Sequence, residues 1–231
     1  MNEKQIAAEY SINYIEDGML VGLGTGSTVR FMVLKLAERV KQGLKITAVS
    51  TSSSTTELAK SLKINVVDFN TVENIDITID GADEVDSELN GIKGGGGALL
   101  YEKIVASQSL KNIWIVDSKK MVSKLGRFPL PVEVMPFGAN QLYRKFEDLG
   151  FNPSFREANG KRFVTDGNHY IVDLKLNGIE NPNELNTKLH LLPGVVETGL
   201  FINHVDTVII GKDKKYEVLN RQKKRSTKIL D

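Results

Sequence analysis

Hydrophobic positions in the first half of the chain follow two periods. Apolar runs of strand length lie at 19–24, 45–50, 64–69, 74–80 and 112–117. Between them, apolar residues recur at the three-to-four-residue spacing of one helical face. These helical segments lie at 3–16, 29–43, 55–62 and 98–110. Strands that alternate with helices predict right-handed crossovers and a parallel-rich sheet covered by helices on both faces.

This alternation breaks near residue 127. The segment FPLPVEVMP at 128–136 carries three prolines at short intervals, which predicts a connector and an edge strand. A helix, a hairpin turning at Asn159–Gly160, a strand and a further helix follow. They are predicted at 140–150, 154–165, 169–176 and 181–194.

The change of pattern predicts two domains. We expect residues 1–127 and 201–231 to form a Rossmann-like α/β catalytic domain, with 206–211 returning to the first sheet. We expect residues 128–200 to form a smaller α+β domain.

Composition narrows the possible functions. The 231-residue chain has a net charge of +1, so no strong field favours nucleic acid or membrane. It contains no cysteine, which excludes disulfides and thiolate catalysis. No apolar run approaches the ~20 residues of a membrane span, and no signal peptide is evident. We expect a cytoplasmic protein that binds neither nucleic acid nor membrane, with a solvated basic tail at 221–231.

The stretch VGLGTGST at 21–28 lies between a predicted strand and a predicted helix. Amides at a helix N-terminus, with the hydroxyls of Thr25, Ser27 and Thr28, favour an anion. A dinucleotide fingerprint fits less well, because Ser27 occupies the third glycine position and the next strand lacks the ribose-binding acid. A phosphate site, a dinucleotide site and a plain turn stay open on these residues.

The segment IDGADEVD places acids directly after an apolar strand. Asp80 and Asp83 there are candidates for binding sugar hydroxyls or for moving protons, because ligands bind at the carboxyl ends of parallel strands. The spacing does not match a calcium loop. The alternative is a solvated loop or helix start.

The stretch IKGGGGALLYEKIV combines Lys93, a glycine run and Glu102. Glycines allow backbone amides to approach a ligand closely, and such a run can form an anion-binding nest. A carboxylate beside an oxyanion site suits proton abstraction next to a carbonyl. The alternative is a flexible hinge, with Glu102 paired to a lysine on a helix surface. The scattered histidines show no metal-ligand spacing, so we expect no metal site.

The motifs GTGST, STSSST, DGADE, KGGGGAL, EKI and FPLPVEV, in this order, resemble ribose-5-phosphate isomerase of the A type. The resemblance runs from Lys4 to about Lys212. It implies interconversion of D-ribose 5-phosphate and D-ribulose 5-phosphate through an enediolate, in the non-oxidative pentose phosphate pathway. It also implies no metal or organic cofactor, a sugar phosphate as the partner molecule, and a homodimer or homotetramer.

The resemblance assigns roles to individual residues. It implies that Glu102 is the catalytic base, that Asp80 or Asp83 assists ring opening, and that Lys93 helps to hold the oxyanion. The implied substrate-binding residues are Lys4, Thr25, Gly26, Ser27, Thr28, Asp80, Gly81, Ala82, Asp83, Lys93, Gly94, Gly95, Gly96 and Lys119.

Two other functions compete with this interpretation. A non-catalytic sensor on a related scaffold would bind the same sugar phosphate without turnover. A nicotinamide-dependent dehydrogenase would use the first glycine turn, although Ser27 and the missing ribose acid weigh against it.

Overall fold

The structure is a computed structural model that describes residues 2–221. Its α-helices are α1 (Glu3–Ser11), α2 (Ser27–Lys41), α3 (Ser53–Ser61), α4 (Leu99–Ser107), α5 (Ala139–Asp148) and α6 (Pro182–His190). The strands in the first half of the chain are β1 (Leu20–Leu23), β2 (Thr47–Ser50), β3 (Ile77–Asp80), β4 (Glu84–Val85), β5 (Gly91–Ile92) and β6 (Asn112–Asp117). The later strands are β7 (Leu130–Val134), β8 (Pro153–Phe155), β9 (Glu157–Ala158), β10 (Lys161–Arg162), β11 (Tyr170–Leu174), β12 (Val195–Thr198), β13 (Leu200–Phe201), β14 (Thr207–Lys212) and β15 (Lys215–Asn220).

The main sheet has six strands in the order β15-β14-β6-β3-β1-β2. All neighbours pair in parallel except the β14–β15 hairpin. Strand β14 pairs with β6, which confirms the predicted return of the chain to this sheet. The α/β class with a parallel-rich sheet is therefore confirmed.

Strand β6 shows how both faces of this sheet are covered. Ile113 and Ile115 pack in a core cluster with residues of α1 and α2, whereas Trp114 and Val116 pack on the other face with Leu99 of α4. Because side chains alternate along a strand, a strand covered on both faces is a continuous apolar run. The run NIWIVD has this character.

Three smaller sheets complete the fold. A four-stranded antiparallel sheet has the order β12-β7-β11-β8, a three-stranded one the order β13-β5-β4, and β9 pairs with β10. Asn159 and Gly160 turn the β9–β10 hairpin with positive φ, as the sequence predicts. The proposed boundaries of the small domain, at 128 and 200, stay a prediction.

Two predicted elements are wrong in detail. Strand β7 is central rather than an edge, because the unpredicted strand β12 pairs beside it. Strand β12 pairs with Val132, Glu133 and Val134 of β7. Pro131 lies just outside this paired stretch and is therefore tolerated, because no ladder hydrogen bond to β12 needs its missing N–H. The apolar run at 64–69 forms no strand and only bridges Ala48 at Val66.

Two findings bear on the composition-based expectations. Among residues 2–221, no helix is long and apolar enough to cross a membrane. Most of the basic tail, residues 222–231, lies outside the described residues.

Candidate active site

The floor of the site forms where β1 and β3 end side by side. The Oδ1 atom of Asp80, the last residue of β3, accepts hydrogen bonds from the amides of Thr25 (3.0 Å) and Gly81 (2.7 Å). This close approach requires glycine at position 24, where a Cβ would lie 2.0 Å from Asp80 Oδ1. The first glycine turn and the DGAD turn therefore form one unit.

Lys93 connects this floor to helix α4. Its Nζ lies 2.9 Å from Asp80 Oδ2 and 3.1 Å from Glu102 Oε2, and it donates to the carbonyl of Gly81 at 2.6 Å. Lys93, Asp80 and Glu102 are 3 %, 3 % and 4 % exposed. Glu102 is thus buried beside Lys93, and its alternative placement on a helix surface is wrong.

The charges in this triad are unbalanced, since one cation faces two carboxylates. Burial and the nearby charge of Asp80 raise the pKa of Glu102 to about 8, although Lys93 opposes this shift. Burial alone would lower the pKa of Lys93, but the charges of Asp80 and Glu102 outweigh it and raise that pKa. Within residues 2–221, Glu102 Oε2 has no hydrogen-bond donor in good geometry. Glu102 is therefore a carboxyl group able to exchange a proton near neutral pH.

The glycine run forms one wall of the cleft. Gly94 and Gly97 have φ of +103° and +84°, and the amide of Gly97 donates to the carbonyl of Gly94 at 3.0 Å. The amide of Gly95 donates to Asp83 Oδ2 at 2.7 Å. The amide of Gly96 donates to no protein acceptor in the part of the chain that the structure describes. The run is a bonded turn and not an untethered hinge.

The N-terminus of α2 also lines the cleft. Gly26 precedes the helix with φ of +115°, and Ser27 and Thr28 begin it. Lys4 Nζ donates to Ser27 Oγ at 2.9 Å, so a lysine stands at the helix N-terminus. Helix amides, hydroxyls and an ammonium group together favour an anionic group.

The structure brings nearly all the predicted residues to one cleft. It is lined by Lys4, Thr25, Gly26, Ser27, Thr28, Gly81, Ala82, Asp83, Lys93, Gly94, Gly95, Gly96, Glu102 and Lys120. Asp80 lies buried directly beneath, against Lys93.

Lys119 is placed elsewhere. It is exposed, its amide donates to Asp117 in a 3₁₀ turn, and it lines a neighbouring groove with Asp83 and Lys120 instead of the cleft itself. The neighbouring Lys120 lines the cleft, with Nζ 3.8 Å from Asp83 Oδ1. Sequence reasoning missed Lys120, because two adjacent lysines in DSKK carry no periodicity that distinguishes them.

The remaining acids of the DGADEVD segment have structural partners. Glu84 is buried and accepts from the amides of Gly126 (2.7 Å) and Phe128 (2.6 Å). Asp86 accepts from the amide of Asn90 and closes a turn. Asp83 faces the cleft, whereas Glu84 and Asp86 hold the surrounding loops.

The STSSST segment supports the first glycine turn. Ser52 caps α3 by accepting from the amide of Thr55, as expected for a capping hydroxyl. Thr51 Oγ1 and Ser52 Oγ each lie 2.8 Å from Thr25 Oγ1.

Within residues 2–221, no group of three metal-ligating side chains converges.

Comparison with known proteins places this geometry in a family. The family model described as "Ribose 5-phosphate isomerase A (phosphoriboisomerase A)" matches residues 47–215. Ribose-5-phosphate isomerase A of Levilactobacillus brevis is 50 % identical over 219 residues, which cover 94 % of this chain and 96 % of the relative's length. The Streptococcus pneumoniae enzyme of the same name (strain G54) is 53 % identical over 214 residues, covering 92 % and 94 %.

Solved structures agree with the sequence comparison. A D-ribose-5-phosphate isomerase in complex with phospho-erythronic acid is 36 % identical, with a TM-score of 0.92, over 96 % of this chain and all of that one. By sequence and by fold, over nearly its whole length, the chain belongs to the ribose 5-phosphate isomerase A family.

Proposed function

We propose that the protein interconverts D-ribose 5-phosphate and D-ribulose 5-phosphate. The observation that carries the proposal is the buried triad of Asp80, Lys93 and Glu102 at the floor of a cleft with an anion-binding end. An aldose–ketose isomerase needs both a base that exchanges protons near neutral pH and a fixed position for the phosphate. The relative that holds phospho-erythronic acid supports a phosphorylated four- to five-carbon ligand.

The phosphate is assigned to the N-terminus of α2. The amides and hydroxyls of Ser27 and Thr28 would donate to it, and Lys4 and Lys120 would supply positive charge. Fixing the phosphate at the N-terminus of α2 would hold the rest of the sugar in the cleft that Glu102 also lines.

Glu102 is assigned the proton transfer. Its carboxylate would take the proton from C2 of the aldose, which leaves the negative charge of the enediolate on O1. The hydroxyl proton of O2 would pass to O1, and the Glu102 carboxyl would return its proton to C1; the ketose would react by the reverse steps. Lys93 and the amide of Gly96 would stabilise the negative oxygen of the enediolate formed between these steps. A positioned base contributes about 10²–10⁴-fold, and one oxyanion donor about 10²–10³-fold.

The aspartates are assigned to the sugar hydroxyls. Asp83 lines the cleft beside Lys120, and Asp80 lies beneath it against Lys93. Asp83 is the better placed to contact the ring oxygen or the C1 hydroxyl during ring opening, because Asp80 already accepts two amide hydrogen bonds. We further propose that the enzyme acts in the non-oxidative pentose phosphate pathway of the cytoplasm, without a cofactor, as a homodimer or homotetramer.

The test is a Glu102→Gln substitution, which removes the base while keeping the shape of the side chain. We expect kcat to fall by about 10²–10⁴-fold, with ribose 5-phosphate still bound. The measurement is ribulose 5-phosphate formation in the presence of a chelator, alongside calorimetric titration with ribose 5-phosphate.

The matched control is Glu197→Gln, the same change in a partly buried lysine–glutamate pair that does not line the cleft. It should keep kcat within about threefold at a temperature where it is folded. Near-normal turnover in Glu102→Gln would reject the mechanism. Binding without turnover in the unaltered chain would instead indicate a sensor, and saturable NADH binding a dehydrogenase.

A further inference from the structure

The glycine run is held from the side opposite the cleft by one arginine. Arg156 precedes the β9–β10 hairpin, and its Nη1 donates to the carbonyls of Gly94 (2.6 Å) and Gly95 (3.2 Å). The other edge of the guanidinium group contacts Asp173 of β11, with Nε at 3.0 Å from Oδ2 and Nη2 at 2.5 Å from Oδ1. Arg156 thus connects the four-stranded sheet to the loop that lines the cleft.

Peptide geometry turns this contact into an orientation of the amides. In a planar trans peptide the C=O and N–H bonds point in opposite directions. The carbonyls of Gly94 and Gly95 share their peptide groups with the amides of Gly95 and Gly96. Two carbonyls held toward Arg156 therefore direct two amides away from it.

The hydrogen bonds of the loop show that the amides point into the cleft. The Gly95 amide donates to Asp83, which lines the cleft. The Gly96 amide is directed to the same side and donates to no protein acceptor among residues 2–221. Accepting from a cation at the carbonyl also polarises the N–H of the same peptide group and strengthens it as a donor.

A glycine run needs such a restraint. Residues without a Cβ occupy both signs of φ at little cost, so their peptide groups reorient easily unless contacts fix them. Asp173 holds the guanidinium group in a bidentate pair, and the two side chains are only 15 % and 17 % exposed. A planar, rigid donor anchored on one edge is suited to fixing two carbonyls on the other.

We propose that Arg156 is a positioning residue that aims the amides of Gly95 and Gly96 at Asp83 and at the reacting oxygen of the substrate. The inference rests on the proposed function, because it names the residue that orients the oxyanion donors of that reaction. Arg156 does not line the cleft, so it would act on the substrate only through the glycine run.

The test compares two substitutions of Arg156 with one control. Arg156→Met removes all the donors. Arg156→Lys keeps the charge, but a single ammonium group cannot span Asp173 and both carbonyls. The control is Arg162→Met in the adjoining β9–β10 hairpin. The Arg162 guanidinium group stacks on Phe155 at 3.8 Å and donates to Asn140 Oδ1, and it does not contact the glycine run.

We expect kcat of Arg156→Met to fall by about 10–100-fold, somewhat less than the loss on removing an oxyanion donor altogether. KM for ribose 5-phosphate should change by less than about threefold, because the phosphate is held at the N-terminus of α2. Arg156→Lys should lie between Arg156→Met and the unaltered chain, and should decide the question if Arg156→Met does not fold. Hydrogen exchange in the peptide covering residues 93–98 should quicken in both Arg156 variants and stay unchanged in Arg162→Met.

Three results would overturn the proposal. The first is kcat within twofold of the unaltered chain, together with unchanged exchange of the glycine run. The second is an equal loss of kcat in Arg162→Met, which would assign the effect to hairpin stability. If the unaltered chain has no isomerase activity, the proposed function fails, and the exchange data alone decide whether Arg156 orients the loop. In that case, unchanged hydrogen exchange of the glycine run in the Arg156 variants is the third result that would overturn the proposal about Arg156.

Discussion

Lys93, which is buried, and Lys103, which is partly buried, both lie over the Phe201 ring and differ in their electrostatic surroundings. Lys103 Nζ donates to Glu197 Oε1 (2.7 Å) and to the carbonyls of Thr198 (2.7 Å) and Leu200 (2.9 Å). Its three donors are used, and one cation meets one carboxylate. Lys93 meets two carboxylates, Asp80 and Glu102.

The difference in charge balance separates a structural cluster from a reactive one. Burial alone would raise the pKa of Glu197, but Lys103 and the Thr198 amide outweigh burial and lower it. In the other cluster the single cation is shared, and burial raises the pKa of Glu102 to about 8. A buried lysine–glutamate contact is therefore not by itself a sign of function; the number of carboxylates that share the cation decides it.

The largest expected effect comes from removing each lysine. Lys93→Met leaves two buried carboxylates without a cation, and Lys103→Met leaves the partly buried Glu197 with His190, whose Nε2 lies 2.9 Å from Oε1. Breaking a buried ion pair costs about 3–5 kcal/mol of unfolding free energy. We expect both variants to lose stability on that scale in urea denaturation at pH 7.

The two variants should differ in activity. Lys93→Met should lose at least about 100-fold in kcat, because an oxyanion donor and the partner of Glu102 are both removed. Lys103→Met should keep kcat within about tenfold when assayed where circular dichroism shows it folded, since Lys103 does not line the cleft. Equal loss of kcat in the two would contradict the assignment of separate roles.

The next effect is the pH dependence of kcat/KM. Glu102 must be ionised to act as a base, and its pKa lies near 8 in the free protein. We therefore expect kcat/KM to rise about tenfold per pH unit between pH 6 and 7 and to level off above pH 8. Initial rates at low ribose 5-phosphate concentration, in buffers of constant ionic strength, measure this profile. A flat profile from pH 6 to 8 would show that Glu102 is already ionised at pH 6.

Much of this site is predictable from sequence because its residues follow strand ends. Asp80 ends an apolar strand, and the turn at Thr25 and Ser27 follows another, so topology alone brings them to one edge. Glu102 and Lys93 flank a glycine run whose composition indicates close backbone approach. The resemblance to a known family added the roles.

The residues that sequence reasoning missed lack such a local signal. Lys119 and Lys120 are adjacent in one short 3₁₀ turn, and only Lys120 lines the cleft. Arg156 acts across a distance of 62 residues along the chain, from a hairpin to Gly94. Strand β12 is only partly buried and follows α6 directly, so it shows no clear alternation. Long-range contacts and turn directions are set by tertiary packing. They cannot be predicted from the composition of a segment or from the spacing of its hydrophobic residues.

The last expected effect is a change in stability of opposite sign in Glu102→Gln and Glu197→Gln. The folded pKa of Glu102 lies above its unfolded value of 4.5, so the folded state binds more protons between pH 4.5 and 8. Its contribution to stability is therefore present below pH 4.5 and is lost as the pH rises through 8. Glu102→Gln removes the ionisable group, so it should stabilise the protein relative to the unaltered chain, increasingly up to pH 8.

Glu197 behaves in the opposite way, because its folded pKa is lowered. Its stabilisation is present above the unfolded value and is lost as the pH falls through the folded pKa. Glu197→Gln should therefore destabilise at pH 8, by about 1–3 kcal/mol for a charged hydrogen-bond partner removed, and by less at pH 4. Urea denaturation of both variants at pH 4 and pH 8 measures the two slopes. Destabilisation of similar size in both at pH 8 would mean that Glu102 is as well compensated as Glu197, and that the unbalanced triad does not set its reactivity.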